Sequence, residues 1–264
     1  MKRIFITGAS SGLGAALARH YAAQGAMLGL VARRGEVLQL LVADLPYPQR
    51  HRIYVLDVTD SAALAAAAAD FFAAAQGVDI VIAAAGISRG TLTECAEDLD
   101  VFERVFATNV SATVATFAPL IATLQAQAAA GQTGGRLVGI GSVAGIRGLP
   151  GAGAYSASKA AVISYCESLR LELKKDGIKV VTIAPGYIDT PMTQVNDYAM
   201  PFLMPVEKFA AQAAATIEAG CSYRVIPWQM GVVAKLLRIL PNWLYDLLFA
   251  NAPRKTRKTS SVDL

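Results

Sequence analysis

Apolar residues recur along this chain in two alternating rhythms. Short, nearly continuous apolar runs are followed by longer stretches in which apolar and small residues return with helical spacing. The runs read as strands buried on both faces, and the stretches as helices packed over them. On this reading strands cover residues 3–7, 27–32, 52–56, 78–84, 136–141, 179–184 and 223–226. Helices run to about residue 24, from 61 to 76, from 98 to 129, past 155 and 159 to about 176, and from 206 to 219. Strict alternation predicts an α/β fold, a doubly wound parallel sheet, in a single domain over residues 1–226. Residues 187–205 break the rhythm and are rich in Pro, Met and aromatic side chains, as expected of an irregular flap over an apolar ligand.

The strand ends carry the chemistry. The first strand runs directly into Thr7-Gly8-Ala9-Ser10-Ser11-Gly12-Leu13-Gly14 and then a helix. That order presents backbone N–H groups and the positive end of a helix dipole to an anion. Gly8 permits the tight turn, Gly12 lets the backbone approach a pyrophosphate, and Gly14 lets the helix pack closely on the strand. The second strand closes in Ala32-Arg33-Arg34, where NAD-binding folds of this kind usually place an acid for the adenine ribose. Two guanidinium groups suit bidentate binding of a 2′-phosphate, and so NADP(H); the alternative is a solvated pair opening a helix. Asp57, followed by Val58, either accepts a hydrogen bond from an adenine amino group or braces its turn, and Ala85-Gly86 leaves room for the cofactor at the end of the fourth strand.

Ser142 follows the fifth strand, at the carboxyl edge where open parallel sheets bind ligands. Tyr155 and Lys159 lie four apart on a helix and share one face, so the ammonium can sit near the phenol. A nearby cation favours the phenolate and draws its pKa down from about 10. A serine hydroxyl beside it could hold a carbonyl or alcohol oxygen. A Tyr-x-x-x-Lys pair is common on solvated helices; its convergence with the phosphate loop on one sheet edge is what marks this one.

Composition narrows the alternatives. Hydrophobic residues make up 54% of the chain and the mean hydropathy is +0.42, much of it from alanine. No apolar run reaches the roughly 18 residues of a membrane span, and no secretory leader is evident. Cys95, Cys166 and Cys221 are widely separated and odd in number, which fits neither a disulfide framework nor a metal site. The cytoplasm is the default compartment. His20 and His51 are isolated and read as surface or structural residues. The net charge of +4 is modest and forms no basic stripe, so nucleic acid is not an expected partner.

With these motifs in order, residues 3–226 resemble the short-chain dehydrogenase/reductase family, in its single-domain branch with a Rossmann-like sheet. The resemblance rests on the glycine loop, Asp57, Ala85-Gly86, Asn109, Ser142, Tyr155 with Lys159, and Pro185-Gly186 with Thr190. It implies that Tyr155 is the general acid/base, that Lys159 lowers its pKa and holds the nicotinamide ribose, and that Ser142 orients the substrate oxygen. Asn109 would keep a water in a proton relay to Lys159. Ser10, Ser11, Leu13, Val58, Pro185, Gly186, Ile188 and Thr190 would line the cofactor, the last two at the carboxamide, with Arg33 and Arg34 on the 2′-phosphate. The family often has two asparagines where this chain has Ala83-Ala84, which removes a brace from the central sheet. The implied activity is reduction of a carbonyl by NADPH in a homodimer or homotetramer. A non-catalytic NADP(H) sensor or scaffold is the alternative, and it would be expected to lack one of Ser142, Tyr155 and Lys159.

Residues 227–264 form an amphipathic extension. Val232, Val233, Leu236, Leu237 and Leu240 make one helical stripe, and after Pro241 a second follows in Trp243, Leu244, Leu247 and Leu248. Arg254, Lys255, Arg257 and Lys258 then form a basic, disordered tail. Either the stripes cover the cleft or a subunit interface, or residues 228–258 lie on an anionic membrane surface, peripherally at its inner face. Both readings favour a lipophilic carbonyl substrate.

Overall fold

A computed structural model describes residues 1–132, 134–250, 255 and 257. Seven strands, β1 (Arg3–Thr7), β2 (Met27–Ala32), β3 (Arg52–Val55), β4 (Ile80–Ala83), β5 (Arg136–Ile140), β6 (Lys179–Pro185) and β7 (Tyr223–Ile226), form one sheet in the order β3-β2-β1-β4-β5-β6-β7. Every pairing is parallel. The chain reverses direction across the sheet between β1 and β4, so the ligand crevice of a doubly wound sheet falls at the carboxyl ends of those two strands.

The helices are α1 (Gly12–Ala23), α2 (Gly35–Ala43), α3 (Ser61–Ala75), α4 (Asp98–Phe106), α5 (Ala112–Ala129), α6 (Gly153–Glu172), α7 (Pro191–Gln194), α8 (Val206–Glu218), α9 (Trp228–Ile239) and α10 (Asn242–Phe249). Successive strand residues point to opposite faces. Ile4 and Ile6 of β1 therefore join Leu17 of α1, Leu38 of α2 and Phe209 of α8 in one buried core, whereas Phe5 joins Phe71 of α3, Phe117 of α5 and Val162 of α6 in the other.

Three expectations change. The helix expected over 98–129 is interrupted by a wide π turn at Ala107–Ser111, which contains Asn109. The joined segment Asp98–Ala129 is long and apolar enough to cross a bilayer by composition, yet α5 packs against α3 and β4 as part of the layered core. The flap is partly ordered. Met204 donates from its backbone to Tyr187 and accepts from Asp189, closing the base of the loop, and α7 sits inside it under a capping box made by Thr190 and Thr193.

The extension forms α9 and α10 on either side of Pro241, as the stripes predict, but those stripes point outward. Trp228, Val232, Leu236, Ile239, Trp243 and Leu247 are exposed, while Met230, Ala234 and Tyr245 face the protein. They therefore do not roof the cleft. Arg147 fixes this arrangement: it donates to the carbonyls of Leu237 and Leu240 and to Asn242 Oδ1, covering the carbonyl end of α9, and stacks 4.0 Å from the centre of the Tyr245 ring. The Tyr245 hydroxyl donates to the Gly148 carbonyl at 2.6 Å.

Candidate active site

Gly8, at φ +70°, passes so close to the end of β4 that a Cβ there would lie 2.6 Å from the Ala85 nitrogen. Only glycine allows both the left-handed turn and that approach. Gly14 is filled by the loop itself, since a side chain would strike the Gly8 carbonyl; its role is packing, and it does not line the cleft. The first turn of α1 contains no acidic residue and Ser11 makes no side-chain cap, so the positive helix end faces the cleft uncompensated.

From this loop a cleft of about 490 Å³ runs along the carboxyl edge of the sheet. Gly8, Ser10, Ser11, Gly12 and Leu13 form one wall. At the far end Arg33, Arg34, Asp57 and Val58 gather; toward the centre come Ala85 and Gly86, and across from them Pro185, Gly186, Ile188 and Thr190. Ser142, Tyr155 and Lys159 stand at the inner end.

The basic corner is held by its neighbours. Arg34 donates to Ser10 Oγ at 3.0 Å, and Arg33 lies 3.7 Å from Asp57 Oδ2. Asp57 accepts from the Thr59 nitrogen and hydroxyl at 2.9 and 2.8 Å. Partial burial acts to raise the Asp57 pKa, but these bonds and Arg33 outweigh it and hold the carboxylate below its ordinary range. Asp57 thus braces its own turn. A nucleotide phosphate fits this corner, because Arg33, Arg34 and the glycine loop line the same cleft.

At the inner end, Ser142 Oγ accepts from the Ala144 nitrogen at 3.1 Å, which leaves its proton to donate into the cleft. The same hydroxyl is close enough to the Tyr155 phenol to stabilise the charged form. Lys159 donates to the Ile140 carbonyl at 2.8 Å and its ammonium lies 5.8 Å from the centre of the Tyr155 ring. Burial lowers the Lys159 pKa to about 8. Burial also raises the Tyr155 pKa, with Ser142 opposing. The expected lowering of the phenol by Lys159 is therefore outweighed here: desolvation favours the neutral form of both groups.

Asn109 lies outside the cleft lining and is fully buried. Its side chain accepts from the Ile87 nitrogen at 2.8 Å and donates to the Ile87 carbonyl at 3.0 Å and to Ser158 Oγ at 2.9 Å. Ser158 in turn donates to the Tyr155 carbonyl at 2.8 Å. Sequence reasoning missed Ser158, although its place within Tyr155-Ser-Ala-Ser-Lys159 was a signal. Two residues of the basic tail expected to be disordered have defined partners. Lys255 donates to Ser88 Oγ at 2.7 Å, and Arg257 to Asp98 and Glu97. Arg254 and Lys258 lie outside the described residues. Among the described residues no His, Cys, Asp or Glu cluster could hold a metal ion.

Comparison with known proteins shows the family and the fold. A family profile described as short chain dehydrogenase matches residues 2–200. An uncharacterized oxidoreductase of Myxococcus xanthus (strain DK1622) is 35% identical over 245 residues, covering 91% of this chain and 93% of that one. A short chain dehydrogenase from Burkholderia cenocepacia J2315, solved in complex with NADP, superposes with a TM-score of 0.75 at 29% identity, covering 85% of this chain and 96% of its own. A 3-ketoacyl-(acyl-carrier-protein) reductase from Brucella melitensis, solved with NADH, shares the fold with a TM-score of 0.78 at 24% identity, over 85% of this chain and 96% of its own.

Proposed function

The chain belongs to the short-chain dehydrogenase/reductase family, and within it we propose an NADP(H)-dependent oxidoreductase that reduces the carbonyl of a hydrophobic substrate, with Tyr155 as general acid/base. One observation carries this reading: Ser142, Tyr155 and Lys159 line one end of the cleft whose other end holds Arg33 and Arg34. The glycine loop would hold the pyrophosphate, Arg33 and Arg34 the 2′-phosphate, and Ile188 and Thr190 the nicotinamide side. When bound, the cofactor supplies or accepts the hydride.

The chain's own residues handle the proton and the oxygen. Ser142, its lone pair engaged by the Ala144 N–H, donates a hydrogen bond to the substrate oxygen. Tyr155 delivers its proton to that oxygen in reduction and removes it in oxidation. A raised phenol pKa suits the proton-donating direction, and the protonated Lys159 nearby stabilises the phenolate left behind. Asn109 and Ser158 act as positioning residues, tying the loop after β4 to the helix that carries the acid/base.

Several features support a lipophilic substrate: Met192, Val195, Phe202 and Leu203 of the flap are exposed. The catalytic domain spans 1–226, and within the extension 227–264 the outward stripe of α9 and α10, with Lys235 and Arg238 beside it, fits an anionic membrane surface at the inner face of a cytoplasmic membrane. Leu99, Phe102 and Val114, exposed on the long helices, fit a homodimer or homotetramer. The test is an NADPH-oxidation screen over short and long-chain ketones with the wild type and Tyr155→Phe. Oxidation by the wild type alone supports the reading, and equal rates reject it.

A further inference from the structure

Lys255 comes to the Tyr155 ring from far along the chain. Its ammonium lies 5.9 Å from the ring centre, and that of Lys159 lies 5.8 Å away, so two cations address one phenol. Their settings differ. Lys159 is buried against the Ile140 carbonyl, whereas Lys255 is half-buried and donates to the Ser88 hydroxyl on the loop after β4.

The approach is anchored. Two residues further on, Arg257 donates to both oxygens of Asp98, at 2.9 and 3.2 Å, and to Glu97 at 3.0 Å. Asp98 is itself buried at the start of α4 and accepts from the Leu92 nitrogen at 2.7 Å. The Arg257 bond, with that of Leu92, holds the Asp98 carboxyl below its ordinary range. This clamp holds Arg257 at the start of α4, while Lys255 reaches Ser88 and the Tyr155 ring.

Among the described residues no carboxylate pairs with Lys255. Burial, and then the positive charge of Arg89, push its pKa down to about 8. A cation taken out of water without a counter-ion is costly, and the cost is relieved when an anion arrives. With the Lys255 ammonium 5.9 Å from the centre of the Tyr155 ring and each hydrogen bond spanning about 3 Å, an anion held by Lys255 would lie in the neighbourhood of an oxygen held by Tyr155.

We propose that Lys255 is a specificity-determining residue that binds an anionic group, a carboxylate or a phosphate, attached close to the reacting carbonyl of an amphiphilic substrate. The proposal rests on Tyr155 being the acid/base. The apolar remainder of such a substrate would lie toward the flap, where Met192, Phe202 and Leu203 expose their side chains, so the two ends of the substrate are read by different parts of the chain.

The test is calorimetric titration of the full chain, with and without saturating NADP⁺, using octyl phosphate, octanoate and octanol as probes. The wild type is expected to bind one of the anions about ten-fold or more tighter than octanol, the scale of one hydrogen bond to a charged group. Lys255→Met should erase that preference without changing octanol, and Lys255→Arg should keep part of it. Octyl phosphate ahead of octanoate assigns a phosphate, and the reverse order a carboxylate. Equal binding of all three probes to the wild type overturns the proposal. So does tighter binding of all three to Lys255→Met, which would make Lys255 a plug. Because ligand ranking is read without turnover, the anion preference can stand while the NADPH screen fails, and the reverse.

Discussion

Asn109 and Ser158 are joined by a 2.9 Å hydrogen bond between two fully buried side chains. It connects the π turn that contains Asn109 to the helix bearing Tyr155 and Lys159. The other Asn109 bonds grip Ile87 on the loop after β4, so one amide ties that loop to the helix bearing Tyr155 and Lys159.

Asn109→Leu should therefore cost about 2–4 kcal/mol, since it leaves buried partners of Ile87 and Ser158 unsatisfied. Urea unfolding of the purified variant measures this. A change under about 0.5 kcal/mol, the usual scale of a neutral surface substitution, would contradict the bracing role.

Tyr155→Phe removes the only group proposed to transfer the proton and keeps the ring. Turnover should fall by about a thousand-fold, within the range for loss of a general acid, while NADPH binding by fluorescence titration stays close to wild type. Retained turnover would remove Tyr155 from the mechanism.

Arg33→Ala combined with Arg34→Ala should weaken NADPH about ten-fold or more, the value of charge-assisted bonds to a phosphate, and leave NADH nearly unchanged. An equal loss for both cofactors would mean that the two arginines hold the loop, for instance through the Arg34–Ser10 bond, without reading the 2′-phosphate.

Lys159 predicts the pH profile. Its pKa is lowered by burial to about 8, so the ammonium is present below that value and is lost as pH rises through it. If its charge stabilises the phenolate, kcat/KM for NADPH, which reports the free enzyme, should be level at neutral pH and decline above about 8. The stability sign is opposite: between about 8 and the ordinary lysine value the unfolded chain binds more protons, so stability rises with pH there. A kcat/KM that climbs through this window would rule out the cationic role.

Trp228→Ser with Trp243→Ser and Leu247→Ser tests the outward stripe. All three side chains are exposed, so folding should be unaffected by circular dichroism, while co-sedimentation with phosphatidylserine vesicles should be lost. Unchanged co-sedimentation, or none by the wild type, would count against membrane contact.

Much of this molecule was legible in its residues alone. Each strand of the sheet and the glycine loop announce themselves locally, because a buried strand must be a short apolar run and a backbone turned toward an anion must shed its side chains. Tyr155 and Lys159 were legible for the same reason, since helical spacing alone puts them on one face. Strand ends shifted by a residue or two, as at β4, where pairing partners and not the apolar run set the limit. Tertiary structure decided the rest. A periodic stripe states that a helix has an apolar face but not which way it turns; Arg147 and Tyr245 turn α9 and α10 so that the stripe faces out. Spacing cannot show that Asn109 sits in a π turn and bonds Ser158, nor that burial would raise the Tyr155 phenol. Least visible was Lys255, which lies 167 residues beyond Ser88. Its neighbourhood is made by Arg257 meeting the carboxylates at the start of α4, a contact between distant charges that leaves no trace in any local pattern.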